Sequence, residues 1–217
     1  MKKIYFKKIL IISVIGLFFV QALYMFAFEP TILSAADDSD DVIISLTVNS
    51  GIAISSPADV TMSPTMGITS DTSIGSAIWN VKTNNVTGYH LAVRADTDPA
   101  LQSTTDSFTD YTPASSGIPE TWSVDSSTYQ FGYSTYGDDV ASATWGTGTS
   151  CGTYSTIPTN NLKYLDFTTS DNTIANSSSV TTTSGTDTTV CFATEQNGVF
   201  APSGDYTATI TATATTN

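Results

Sequence analysis

The sequence predicts an all-β protein, an immunoglobulin-like antiparallel β-sandwich preceded by an N-terminal signal or anchor helix. The first observation is that short segments alternate between apolar and polar residues, most clearly at residues 204–215, where threonine recurs at every second position. The second is that turn-forming residues separate these segments. The third is that no segment after residue 30 keeps a helical period over ten residues. Eight to ten short strands of this kind are typical of a β-sandwich.

The first 36 residues have the composition of an export signal. Four lysines within residues 1–8 precede the apolar residues 9–28, and small residues follow. A helix of twenty residues is about 30 Å long, which is enough to span a bilayer. We expect export through the Sec pathway, and we favour cleavage near Ala35 or Ala36 over retention of residues 1–36 as a membrane anchor.

Acidity dominates the rest of the chain. The formal net charge is −13, and residues 37–217 keep three basic residues against nineteen acidic ones, a net charge of −16. Such a surface repels phosphate backbones and anionic lipid heads, so nucleic acid is excluded as a partner. Membrane contact is expected only through an uncleaved N-terminal helix. The expected partners are a cell-envelope polymer, a glycan or a protein at the cell surface.

The predicted domain organisation has two parts after the signal or anchor at residues 1–36. Residues 37–41 form an acidic spacer, and residues 42–217 form a single β-sandwich domain with a long aromatic-rich insertion around residues 97–160. Residues 42–48 alternate as a strand does. This segment is either the first strand of its own domain, which is the more common case, or a donor strand that completes a neighbouring subunit.

The remaining strands follow from alternation and turn residues. Residues 77–82 and 89–95 predict a hairpin in which Trp79 faces Tyr89 or Leu91. Residues 171–179 predict a polar loop. The other predicted strands are residues 52–54, 60–62, 121–124, 129–134, 162–167, 188–195 and 204–215.

Two cysteines in an exported chain predict one disulfide, Cys151 to Cys191. Closing a loop of about 41 residues contributes about 4 kcal/mol in the chain-entropy description. Within the predicted strand 188–195, Cys191 has the opposite parity to Val190 and Phe192. If those two side chains point into the sandwich, the disulfide holds the Cys151 loop against the outside of the sheet.

Catalytic motifs are missing from the sequence. The one histidine, His90, has no nucleophile motif with which to form a triad, and Glu120 and Glu195 lack any local support as a glycosidase pair. We therefore expect no enzymatic activity, no cofactor and no metal. Aspartates at 96 and 98 and at 138–139 are able to ligate calcium, but a solvated acidic loop is favoured.

Aromatic residues give the best functional signal. Eleven of the sixteen aromatic residues of the mature chain fall between residues 108 and 167. Those within strand patterns are expected in the core, whereas Tyr136, Trp145 and Tyr154 lie in a Gly/Thr-rich connection and are candidates for an exposed contact surface. This predicts a secreted or cell-surface structural or adhesive protein, with a carbohydrate-binding module as the alternative.

Three pieces of the chain carry a resemblance. They are WNVKTN and TGYHLAV at residues 79–84 and 87–93, FGYS at residues 131–134, and PSGDYTATI at residues 202–210. Their order resembles a group of uncharacterised exported β-sandwich proteins of bacterial cell surfaces. The terminal strand also resembles spore coat U-like and fimbrial-subunit domains and, more loosely, WxL cell-wall-binding domains. The resemblance implies a surface or structural role and no catalytic residue.

Overall fold

A computed structural model describes residues 13–24 and 40–217. The predicted signal-peptide cleavage near Ala35 or Ala36, and most of the predicted acidic spacer, lie outside these residues. The chain divides into two units, Met1–Thr47 and Val48–Asn217. In the first unit residues 13–24 are helical and residues 40–47 have no regular secondary structure. Among the described residues, no helix combines the length and apolar character needed to cross a membrane.

The second unit is built almost entirely of β-strands, as the sequence predicts. It contains eight strands in the described chain, together with a one-turn helix at Ser142–Trp145 and a 3-10 turn at Ile157–Thr159. The strands are β1 (Ile52–Ile54), β2 (Thr72–Thr83), β3 (Tyr89–Ala95), β4 (Thr109–Asp110), β5 (Thr128–Gly137), β6 (Asn172–Ser177), β7 (Thr186–Asn197) and β8 (Ile210–Thr216).

The strands form two sheets. The larger has the order β1-β2-β7-β5-β4 and the smaller has the order β6-β3-β8. All pairs are antiparallel except the short β4–β5 pair, which is parallel. The predicted all-β class is therefore confirmed at the level of two packed sheets.

The predicted hairpin between residues 77–82 and 89–95 is wrong. β2 and β3 belong to different sheets, so the connection between them crosses from one sheet to the other. Gly88 permits the crossing because its φ is +81°, and a Cβ there would lie 2.0 Å from the carbonyl oxygen of Ser177. The predicted meeting of Trp79 with Tyr89 and Leu91 still occurs, but in the core between the sheets.

The main core lies between the two sheets. It is formed by the inward side chains of β2, β3, β5 and β7, with Leu165, Phe167 and Trp145 from the connections. Phe167 stacks on Tyr133 with 4.1 Å between ring centroids and on Phe131 with 5.5 Å. The inward residues of β8, which include Ile210 and two alanines, pack against this core but are only partly buried.

A second core lies on the outer face of the larger sheet. Tyr111 stacks on Trp122 with 4.7 Å between ring centroids, and Trp122 and Tyr164 make an edge-to-face contact with 5.1 Å between centroids. The disulfide between Cys151 and Cys191 lies in this outer cluster. Both the predicted pairing and the predicted outward parity of Cys191 are confirmed. Connecting segments, rather than a third sheet, supply most of this layer.

Three predicted strands are absent from the structure, at residues 60–62, 121–124 and 162–167. Residues 121–124 contribute Trp122 and Val124 to the outer cluster. Residues 162–167 supply side chains to both cores and form isolated bridges, such as Glu120 to Tyr164 and Tyr133 to Leu165. Residues 60–62 precede a single bridge between Ser63 and Ile74. In contrast, the predicted loop 171–179 contains β6, because pairing with β3 outweighs the low β-propensity of its asparagines.

Gly132 allows the outer aromatic layer to lie close to the sheet. A Cβ at this position would lie 2.7 Å from the Cβ of Tyr111 and 2.9 Å from the carbonyl oxygen of Leu165. We expect Gly132→Ala to lower the free energy of unfolding by about 1–3 kcal/mol through overpacking, measured by thermal or denaturant unfolding. Gly204→Ala is the control, because its Cβ would meet neighbours only at 3.6 Å or more. Equal stability of the two variants would contradict this account of Gly132.

Candidate functional site

Trp145, predicted to be exposed, is buried. The one-turn helix Ser142–Trp145 turns the indole into the main core, where its ring centroid lies 5.3 Å from that of Tyr133 and its exposed fraction is 3%. The prediction is therefore wrong for this residue. A local helical turn was enough to direct an aromatic side chain inward from a segment whose composition indicated a loop.

The other two residues of the predicted contact surface are placed differently. Tyr136 is half-buried at the end of β5 and packs against the outer cluster. Tyr154 is 50% exposed, and its backbone carbonyl accepts a hydrogen bond from the Thr72 hydroxyl at 2.9 Å. Of the three residues, Tyr154 is the exposed one, so the set does not provide the shared aromatic surface that a sugar-stacking site needs.

Glu120 and Glu195 both serve the outer aromatic cluster. The Trp122 Nε1–H donates to Glu195 at 2.6 Å, and the Tyr111 hydroxyl donates to Glu120 at 3.3 Å. Burial, together with the nearby charge of Glu120, raises the pKa of Tyr111 to about 12. These carboxylates satisfy buried ring donors, which is a structural role.

Three aspartates far apart in sequence are brought together near the end of β3. Burial raises the pKa of Asp110 to about 6, and the charge of Asp98 adds to this effect, whereas a hydrogen bond from the Ala100 N–H opposes it. Burial likewise raises the pKa of Asp166. Within the described residues no group of three or more histidine, cysteine or acidic side chains is placed to hold a metal ion.

One edge of the smaller sheet is open. In the described chain β8 pairs with β3 and with no strand on its other side. Its residues opposite Leu91, Val93 and Ala95 face the core, yet Ile210 and the alanines beside it remain partly exposed. A seven-residue strand thus presents unpaired backbone groups and an incompletely covered apolar face.

The larger sheet is uncovered at the same side of the sandwich. β1 lies near β8, and its residues Ile52 and Ile54 pair with Thr83 and Val81, whose side chains are buried in the interior. Paired residues share a face, so Ile52 and Ile54 also face inward. They are nevertheless 36% and 37% exposed. We call the free side of β8 together with these two isoleucines the open edge.

Residues 42–48, predicted as the first strand, do not form one. The first strand of the structure is β1, and the apolar side chains of this segment are 72–90% exposed. The exposed residues are Val42, Ile43, Ile44, Leu46 and Val48. The alternation is that of a half-buried strand, but no strand of the described residues pairs with it.

Neither the segment 42–48 nor β8 contains a charged residue or a proline, although the chain carries a net charge of −13. Natural edge strands are usually protected from association by lysine, proline, bulges or inward charges. The sequence pattern showed the apolar alternation of both elements. It did not show that residues 42–48 would lack a strand partner in the described chain, or that β8 would pair on one side alone.

The aspartate group generates a pH prediction. The pKa of Asp110 in the folded protein, about 6, exceeds its ordinary value of 3.8, so folded protein binds this proton more tightly than unfolded protein does. This stabilisation is complete below about pH 4 and is lost as the pH rises through about 6. We expect Asp110→Asn, which keeps an acceptor for the Ala100 N–H, to lessen the fall in Tm between pH 4 and 7 by a few degrees.

The matched control is Asp205→Asn, which makes the same charge change at an exposed position. It should leave the pH dependence of Tm as it is in the unaltered protein. The same fall in Tm for the Asp110 variant and the unaltered protein would contradict the placement of the shift at Asp110.

Comparison with protein-family models, with curated proteins and with solved structures found no match to this chain.

Proposed function

We propose that the protein is a non-enzymatic structural subunit of the cell surface that assembles by adding residues 42–48 as a strand to the sheet of a neighbouring subunit. The observation that carries the proposal is the exposure of this segment. Its side chains at the alternating apolar positions are 81%, 89%, 86% and 72% exposed for Val42, Ile44, Leu46 and Val48. Strand donation is one of the two roles that the alternation of residues 42–48 predicts. The start of β1 at Ile52 supports it, because residues 42–48 are not used as the first strand of their own domain.

The energetic argument rests on burial. Fully burying an aliphatic side chain of this size is worth about 1.5–3 kcal/mol, and the segment offers four on one face. Strand addition also pairs backbone groups along the whole segment, and pockets for alternate side chains give specificity. An exposed segment with this pattern therefore has a large gain available on binding, set against the entropy of ordering it.

Export to the cell surface belongs to the same proposal. The disulfide is compatible with an oxidising, extracellular location. The lysine-rich and apolar N-terminal sequence supports export, and the resemblance to exported β-sandwich and fimbrial-subunit domains supports an immunoglobulin-like sandwich in a surface assembly. The absence of enzymatic activity is part of what we propose.

A charge placed on the apolar face of the segment should prevent assembly. We expect Ile44→Asp, made in the full chain recovered from the producing cells, to weaken self-association at least about tenfold, because a carboxylate would have to be buried without a partner. Ser45→Asp is the matched control, since it adds the same charge on the opposite face. Size-exclusion chromatography with light scattering and gels of unboiled samples measure the oligomers.

Two results would contradict the proposal. One is an unaltered protein that remains monomeric across the concentration range tested. The other is an Ile44→Asp variant that assembles as well as Ser45→Asp, because the alternation would then have no role in binding.

A further inference from the structure

We infer that the disulfide between Cys151 and Cys191 is a thiol-exchange site, at which a small cationic thiol attacks the Cys151 sulfur from a cleft beside β2. This activity goes beyond the proposed function and does not depend on assembly. Three features support it: the cleft that reaches Cys151, the free hydroxyl beside Cys191, and the negative charge of the cleft.

A cleft of about 620 Å³ lies beside β2. Its walls are residues 57–61, residues 74–78, and Cys151 with Gly152. Backbone hydrogen bonds close its two ends, from the Ser55 N–H to the Asn80 carbonyl at 2.9 Å and between Ser63 and Ile74 at 2.8 and 3.0 Å. Between these ends, no backbone hydrogen bond joins residues 57–61 to β2 in the described chain. A space of this volume admits a small thiol compound to Cys151.

The two cysteines differ in access. Cys151 is partly exposed and lines the cleft, whereas Cys191 is 1% exposed beneath the outer cluster. In the exchange step the incoming thiolate forms a bond to the Cys151 Sγ, and the bond between the two cysteine sulfurs breaks. Its electron pair leaves on the Cys191 Sγ, which then takes up a proton. One disulfide replaces another, so the step needs no oxidant or reductant besides the thiol.

A free hydrogen-bond donor lies beside the leaving sulfur. Ser134 on β5 is directly opposite Cys191 on β7, and paired residues share a face. The Ser134 hydroxyl is fully buried and has no hydrogen-bond partner among the described residues. A buried thiolate is unfavourable unless it accepts a hydrogen bond, and a better-stabilised thiolate leaves faster. The Ser134 hydroxyl is therefore placed to donate to the charge that develops on Cys191.

Opening the disulfide leaves the two sheets held together. The bond fixes a connection to the outer cluster and does not join one sheet to the other. Ile157 of the same connection stays buried in that cluster by itself. The Asn160 side chain also donates to the Cys151 carbonyl at 3.1 Å and to the Tyr164 hydroxyl at 2.8 Å. These contacts keep Cys151 near Cys191, so the exchange is reversible in the folded protein.

Charge selects the thiol. Asp59 is the charged residue among those that line the cleft, and the whole chain has a net charge of −13. A negative potential concentrates cations and repels anions, most strongly at low ionic strength. A cationic thiol such as cysteamine is therefore favoured over an anionic one of the same chain length, such as 2-mercaptoethanesulfonate.

The test measures exchange in the folded, full chain recovered from the producing cells. Rates with cysteamine and with 2-mercaptoethanesulfonate are each divided by the rate of that thiol with a small uncharged disulfide. We expect cysteamine to be favoured by at least about threefold at low ionic strength. Asp59→Asn should reduce this preference. Asp205→Asn, which makes the same change at an exposed position outside the cleft, should not. Mass spectrometry of acid-quenched peptides should find the adduct on Cys151.

A second variant tests the leaving group. We expect Ser134→Ala to slow exchange with cysteamine by at least about fivefold, because the Cys191 thiolate loses its donor. The Tm should stay the same, since the hydroxyl that is removed has no partner to lose. Thr188→Val is the matched control. Its hydroxyl is also fully buried on β7 and without a partner in the described residues, but it lies on the opposite face from Cys191.

The outcomes are separable from those of the assembly experiments, because neither variant changes residues 42–48. An adduct on Cys191, or exchange that occurs only as urea unfolds the protein, overturns the inference. Equal normalised rates for the two thiols overturn the assigned substrate class. Equal rates for Ser134→Ala and Thr188→Val overturn the role of the Ser134 hydroxyl.

Discussion

Burial of β5 and β7 on both faces is the constraint on which the rest of the domain depends. From Gln130 to Thr135 every residue of β5 is buried, and β7 is buried from Thr188 to Thr194. Strands covered on both sides need two apolar layers, but the smaller sheet covers only one face of the larger. The connections must therefore supply the second layer. The disulfide, the approach to Gly132 and the ring stack around Trp122 all serve that layer.

This requirement explains where the aromatic residues go. The insertion around residues 97–160 has the composition of a contact surface, but most of its rings are used to cover the larger sheet or to fill the core. Hydrogen bonds from Tyr111 and Trp122 to the two glutamates satisfy the polar atoms that such burial brings inside. Partly exposed apolar groups remain where β1 and β8 meet at one side of the sandwich, at Ile52 and Ile54 and at the inward residues of β8.

Parity along single strands was the part of the structure that could be predicted from the sequence. The inward faces of β7 and β8, the outward direction of Cys191 and the disulfide all follow from a period of two. Pairing between strands could not be predicted in the same way. The connection at residues 84–88 has the turn residues of a hairpin, and the choice between pairing and crossing to the other sheet depends on β7, which competes for β2 from more than a hundred residues away.

The candidate site was likewise predictable in part. The alternation of residues 42–48 was visible in the sequence, but alternation specifies a face to be buried and does not specify the chain that buries it. The predicted exposure of Trp145 was wrong for a related reason. A single helical turn directs its side chain into the core, and one turn is too short to leave a periodic pattern in the sequence. Properties that depend on one residue and its neighbours were predictable, whereas properties that depend on a distant or separate partner were not.

The open edge is uncharged within an acidic chain, because β8, Ile52 and Ile54 contain no ionisable side chain. Copies of a chain with a net charge of −13 repel one another at low ionic strength, and this opposes association through arbitrary surfaces. β8 and residues 42–48 are free of charge, so a contact between them brings no like charges of their own into apposition and desolvates no charged side chain of either element. An unprotected edge strand in a neutral chain would invite general aggregation. A charged segment placed against the partly exposed alanines of β8 would have to bury its charge without a partner, and this opposes association of the acidic parts of the chain with that edge.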